Sequence, residues 1–113
     1  MNPISQKVYL ERRQNERLPH RGGGTLLTSE SSWTAHIINI SLQGALIALV
    51  DPHNITEDQT VTLQIALSDG TAILTHGHVA HVKDHYIGLE CKPNTEEDAR
   101  RLEAMIREIE ENL

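Results

Sequence analysis

Hydrophobic and polar residues alternate through most of the middle of the chain, which is the pattern of β-strands that bury one face. The alternation is clearest where apolar residues occupy every second position from Val61 to Leu67. Residues 44–50 are apolar on both alternating faces, as in a strand that is covered on both sides. Turn-forming sequences such as Ser68-Asp69-Gly70 separate these segments. The pattern predicts six strands, at residues 25–29, 33–40, 44–50, 61–67, 71–82 and 86–91.

The end of the chain has the period of a helix. Thr95 and Asp98 have the spacing of a capping box, which predicts a helix over residues 95–113. Apolar residues then recur three or four positions apart: Ala99, Leu102, Met105, Ile106, Ile109 and Leu113. Six short strands with one terminal helix are typical of a small antiparallel β-barrel. Gly77, inside the fifth predicted strand, indicates a bulge or a sharp bend.

The beginning of the chain differs from the rest. Residues 1–21 are polar and basic without sustained periodicity, and they are predicted to form a flexible N-terminal arm. Gly22, Gly23 and Gly24 follow and are predicted to act as its hinge. The chain is therefore expected to be one domain, in which residues 22–113 form the barrel and its helix.

Composition and charge narrow the possible functions. The 113 residues include one cysteine, so no intrachain disulfide can form, and no phenylalanine, so Ile, Leu, Val and Ala must build the core. No segment has the features of a signal peptide or the length of a membrane span, which predicts a cytoplasmic protein. The net charge is −6, yet arginines cluster in the N-terminal arm while acidic residues crowd the other end. A basic arm on an acidic body favours a small anionic ligand over long nucleic acid.

Two short motifs carry the candidate chemistry. The first is Arg12-Arg13-Gln14-Asn15-Glu16-Arg17, and the second is Asn39-Ile40-Ser41-Leu42-Gln43-Gly44. Guanidinium groups pair with phosphate or with the acceptor edge of guanine and also stack on bases. An amide and a hydroxyl can bind base-edge donors, and a glycine permits close approach to the backbone. In this order, the two motifs predict a site for an anionic ligand that carries guanine.

The same residues resemble the PilZ domain family, which are bacterial receptors for the second messenger cyclic di-GMP. The family pattern is R-x-x-x-R followed by (D/N)-x-S-x-x-G, and the late sequence Ile87-Gly88-Leu89-Glu90 is similar to its closing-strand signature. This resemblance implies a six-stranded antiparallel β-barrel, with ligand clamped between the arm and the outside of the barrel. It also implies a binding protein without a cofactor, a metal or a catalytic residue. The implied ligand-binding residues are Arg12, Arg13, Arg17, Asn39, Ser41, Gly44, His81 and Lys83.

Three details of the family pattern imply further properties. Arginine just before the arm motif, here Arg12, goes with two intercalated cyclic di-GMP molecules per domain. His81 stands where some members have a base-stacking tryptophan, and Lys83 follows two residues later. We expect a monomer that signals when ligand orders its arm and presents it to an unidentified protein partner, with no DNA, RNA or membrane involved.

Other functions are less well supported by the residues. His76 and His78 share one strand face, and His36 or Cys91 could join them, but a zinc site needs three or four converging ligands. No phosphate-binding loop or dinucleotide motif is present, so an enzyme is not predicted. Aromatic residues make up only 3% of the chain, which disfavours nucleic-acid binding by base stacking. The principal alternative is a PilZ-like protein adaptor that binds no nucleotide, and a histidine-rich metal-binding protein is the weaker one.

Overall fold

The computed structural model describes the backbone of residues 18–112 and the side chains of residues 22–112. Six β-strands precede one helix along this part of the chain: β1 Leu18–Leu27, β2 Ser32–Ser41, β3 Gly44–Leu49, β4 Thr60–Ala66, β5 Ala72–Lys83, β6 Tyr86–Pro93 and α1 Glu96–Glu111.

The strands form one closed antiparallel barrel in the order β1-β2-β3-β6-β5-β4, and residues 24–27 of β1 pair with β4 to close it. The predicted fold, a six-stranded antiparallel barrel with a C-terminal helix, is confirmed. The interior is packed with the inward-facing Ile, Leu, Val and Ala side chains of all six strands.

Helix α1 packs against β1, β5 and β6 and buries Leu102, Met105 and Ile106. Thr95 caps its start, since the threonine hydroxyl oxygen accepts a hydrogen bond from the Asp98 backbone N–H at 3.0 Å. The capping box predicted from sequence is therefore present. Asp98 also reaches the barrel, where its Oδ1 accepts from the Leu74 N–H at 3.1 Å and ties the helix to β5.

Strand β1 is longer than the sequence pattern indicated. It begins at Leu18, which pairs with Ile40 of β2, so four residues assigned to the N-terminal arm lie in the barrel. The three glycines predicted to be a hinge are wrongly assigned, because residues 22–24 pair in the β2 ladder with residues 35–37. Gly24 also pairs with Ile65 of β4, where a Cβ would overlap the Gln64 carbonyl oxygen. Glycine thus allows close strand approach here rather than free rotation.

The irregular position of β5 also differs from the one predicted. The register between β5 and β6 shifts between Val79 and His81, so Ala80, and not Gly77, is the extra residue. At Gly77 the ladder is regular, but a Cβ would overlap the Glu90 carbonyl oxygen. A glycine in a strand marks either a bulge or a close backbone approach, and Gly77 is the second case.

Candidate functional site

The described residues include five of the eight predicted site residues: Asn39, Ser41, Gly44, His81 and Lys83. Arg12, Arg13 and Arg17 lie outside them. These residues lie on β2, β3 and β5. In the barrel, β3 and β6 lie between β2 and β5. They therefore share the outer face of one four-stranded section of the barrel.

A bulge in β2 turns Asn39 and Ser41 to this outer face. The register between β2 and β3 shifts between Ile37 and Asn39, which makes Ile38 an extra residue. Ile37 and Ile40 both point into the core, three positions apart instead of two or four. Without the bulge, Asn39 and Ser41 would share the parity of Ile37 and face inward.

A second bulge does the same for His81. Val79 is fully buried, so strict alternation along β5 would turn His81 into the core. The extra residue Ala80 resets the alternation, and His81 and Lys83 are exposed on the outer face. Bulges that re-aim a side chain are common beside functional sites.

The two bulges lie at the same level of the barrel. Cross-strand pairing runs from Asn39 on β2 through Leu46 and Gly88 to His81 on β5. Three interstrand steps of about 4.8 Å place the ends of this row about 14 Å apart. Gly88 leaves room for the His81 imidazole, whose Nε2 would lie 2.7 Å from a Cβ added at this glycine. The histidine ring therefore lies over the backbone of β6.

Asn39 has a polar atom that nothing in the described chain satisfies. Its Oδ1 is buried and has no hydrogen-bond partner among the described residues. A buried acceptor without a donor costs about 1–3 kcal/mol, and native proteins contain few of them. This oxygen can accept a hydrogen bond from a ligand or from a part of the chain that the structure does not describe.

Ser41 and Gly44 have structural functions in the turn between β2 and β3. The buried Ser41 hydroxyl donates to the Gly44 carbonyl at 3.4 Å and accepts from the Gln43 N–H at 3.1 Å. A Cβ on Gly44 would overlap the Leu89 carbonyl oxygen of β6. The serine shapes the turn, and the glycine lets β3 approach β6 closely.

An open groove of about 570 Å³ continues from this turn across β6 and β5. Ser41, Gln43 and Gly44 form one side, and the outward side chains of β5 and β6 form the other. The sequence motifs did not indicate Gln43, Gly88 and Glu90 as candidate site residues. Gly88 and Glu90 belong to the closing-strand sequence that carried the family resemblance, and their alternation with buried Ile87 and Leu89 could have placed them on the outer face.

The histidine residues considered for a metal site do not converge. His76 and His78 point outward, whereas Cys91 is buried on the opposite face of its strand. In residues 18–112, no group of three or more His, Cys, Asp or Glu side chains could hold a metal ion. His78 instead places its Nε2 3.3 Å from Glu90 Oε2.

Residues 11–108 match the PilZ domain family, so the match includes the arginine motif, the whole barrel and most of the helix. The chain belongs to the PilZ domain family. The resemblance based on the two motifs is thereby confirmed, and PilZ domains are generally cyclic di-GMP-binding effectors rather than enzymes.

A solved structure agrees with this assignment at the level of fold. The PilZ domain of CeSA from a cellulose-synthesizing bacterium superposes with a TM-score of 0.69 at 12% sequence identity. The alignment covers 85% of this chain and 99% of that one. Comparison with curated protein sequences gives no match. No helix in the described part of this PilZ domain is long and apolar enough to cross a membrane.

Proposed function

We propose that this PilZ domain is a cyclic di-GMP receptor, and that Asn39 reads a guanine of the ligand. The observation that carries the proposal is the buried Asn39 Oδ1, which has no donor among the described residues. Guanine offers N–H groups on its base edge, and a bound base would satisfy this oxygen. The His81 ring on the same row supplies a flat surface on which a base can stack.

The start of β1 supports a role for the arginine motif. Leu18 pairs with Ile40 and Pro19 pairs with Asn39, so the chain enters the barrel directly beside the second motif. Arg17 precedes Leu18, and consecutive Cα atoms are about 3.8 Å apart. Chain connectivity therefore allows the arginines of the motif to reach ligand phosphates beside Asn39 and Ser41. The point of attachment is Leu18, and no glycine hinge is required.

Two ligand molecules bind per domain in this proposal, and Arg12 contacts the second. Ligand gathers Arg12, Arg13 and Arg17 against the outer face, and the ordered segment becomes the surface that a protein partner recognises. The protein acts as a cytoplasmic monomer without a cofactor. Charge-assisted contacts contribute about 1.5–3 kcal/mol each, whereas ordering the arm costs about 1–2 kcal/mol per residue, so several arginines must engage together.

Calorimetric titration with cyclic di-GMP tests the receptor. Arg13→Ala should weaken binding by at least about 2 kcal/mol, because a charge-assisted phosphate contact is lost. Arg12→Leu should reduce the number of ligands from two to one. Arg107→Ala, on the exposed face of α1, is the matched control and should bind as the wild type does. Absence of binding by the wild type would favour a nucleotide-independent adaptor instead.

A further inference from the structure

The groove beside Gly44 is lined by charged and imidazole side chains that have no part in the proposed contacts of Asn39 and His81. Cross-strand pairing runs from Ser41 through Gly44 to Glu90 on β6 and His78 on β5. This row is next to the row that contains Asn39. Gly44 is buried against β6 and has no side chain, so no side chain lies between Ser41 and Glu90 in this row.

The carboxylate of Glu90 lies at the edge of this groove and contacts His78. Its Oε2 lies 3.3 Å from His78 Nε2, which fixes the carboxylate from the side of β5. Its Oε1 has no hydrogen bond within the described chain. A carboxylate accepts two parallel hydrogen bonds, and guanine offers two adjacent donors, N1–H and the N2 amino group. Adenine has an acceptor at N1 and no N2 amino group, so the carboxylate would disfavour it.

A cationic pair lies farther along the same groove. Lys92 is directly opposite His76 in the ladder, which places their Cβ atoms about 5 Å apart. His76 Nδ1 lies 2.6 Å from Asn94 Oδ1, and Nε2 points away from Asn94. Lys92 makes no ion pair within residues 18–112. An anion between the two side chains would be paired with the Lys92 ammonium and would lie within reach of His76 Nε2.

We propose that this groove is a subsite for one guanosine phosphate half of the bound ligand, in which Glu90 reads the guanine and Lys92 with His76 holds a phosphate. Glu90 and Lys92 are two residues apart on one strand, so their Cα atoms are about 7 Å apart. Their long side chains allow the charged groups to lie farther apart than the Cα atoms. The pair can therefore span the distance between a guanine base and its phosphate. His78 acts as a positioning residue, because it contacts Glu90 and not the ligand.

The subsite rests on the proposed function, and the test separates the two. Cyclic di-GMP is titrated into the wild type, Glu90→Gln and Lys92→Met, with Glu103→Gln and Arg107→Met on the exposed face of α1 as charge-matched controls. We expect each groove variant to bind about tenfold more weakly, since a bidentate base contact and a charge-assisted phosphate contact both have effects of this order. The controls should bind like the wild type. All four substitutions are at exposed positions, so the unfolding midpoints should stay close together.

A second measurement locates the contact. Amide resonances of residues 76–78 and 90–92 should shift when cyclic di-GMP is added to the wild type, and the shifts at residues 90–92 should shrink in Glu90→Gln. Binding by the wild type with no such shifts, or with unchanged affinity in both groove variants, would overturn the subsite alone. No binding by the wild type would overturn the receptor and the subsite together.

Discussion

Asn39 lies on the outer face, and its buried side-chain oxygen has no donor among the described residues. Leucine has nearly the same size and no polar atom to satisfy. We therefore expect Asn39→Leu to leave the free energy of unfolding unchanged or to raise it by up to about 1 kcal/mol. In thermal unfolding, cyclic di-GMP should stabilise the wild type more than the variant. A clear loss of stability without ligand would mean that Asn39 has a structural function instead.

Two glycines of the barrel, on β3 and β1, differ in how closely they are packed. At Gly44 a Cβ would overlap the Leu89 backbone carbonyl, whereas at Gly23 a Cβ would meet no atom within 4 Å. Gly44→Ala should lower the free energy of unfolding by about 1–3 kcal/mol, because the strands must move apart. Gly23→Ala should change it by no more than about 1 kcal/mol in the stabilising direction, since it restricts the unfolded chain.

Chemical denaturation of both glycine variants measures this difference. Equal effects at the two positions would contradict the close approach of β3 to β6. Titration of Gly44→Ala with cyclic di-GMP tests whether the glycine also contacts ligand. If the glycine has only a structural function, the fraction of protein that binds should decrease only as much as the folded fraction does.

At the scale of elements, the alternation of apolar residues predicted which strands exist but not where their register shifts. Asn39 and Ser41 are two positions apart and share a face, as strand alternation requires. The choice of the outer face depends on the extra residue Ile38, and that of His81 depends on Ala80. Neither position is glycine, and a bulge is stabilised by pairing with a neighbouring strand, which one strand's sequence does not contain. The start of β1 was missed because three glycines in a ladder have the same composition as a flexible linker.

The contact between helix α1 and the barrel should depend on pH. Hydrogen bonds from the Leu74 backbone N–H and the Thr95 hydroxyl hold the pKa of Asp98 below its usual value near 3.8. A carboxyl with a lowered pKa in the folded state contributes stability above its unfolded pKa, and this contribution is lost as the pH falls through the folded value. Asp98→Asn should therefore lower the free energy of unfolding at pH 7, by about 1 kcal/mol for a helix start of this kind.

Denaturation at several pH values checks this sign. The difference between wild type and Asp98→Asn should shrink once the pH falls below about 4, where the wild-type carboxyl takes up its proton. Glu103→Gln is the control, since Glu103 is exposed on the same helix and its side chain makes no hydrogen bond within the described chain. A constant difference across this pH range would show that the contact does not depend on the charge of Asp98.

At the scale of the whole molecule, one core supports both the closure of the barrel and the outer face that carries the site. Leu26 is fully buried where β1 joins both of its neighbours, since it pairs with Trp33 of β2 and Leu63 of β4. Leu26→Ala should lower the free energy of unfolding by about 2–5 kcal/mol, through lost burial and the cavity that remains. The substitution does not touch the outer face, so the folded variant should bind ligand normally.

Ligand linkage tests that separation of core and site. A ligand that binds only the folded state adds about 2.7 kcal/mol to the free energy of unfolding at a concentration of 100 times its Kd. Cyclic di-GMP should therefore stabilise the wild type and Leu26→Ala by equal amounts, while Asn39→Leu gains clearly less. A much smaller gain in Leu26→Ala would show that binding depends on the packing of the β1 junction. That outcome would require the loss of the Leu26 side chain to shift the start of β1. Such a shift would affect binding because Leu18 and Pro19 connect the arginine motif to the strand that carries Asn39.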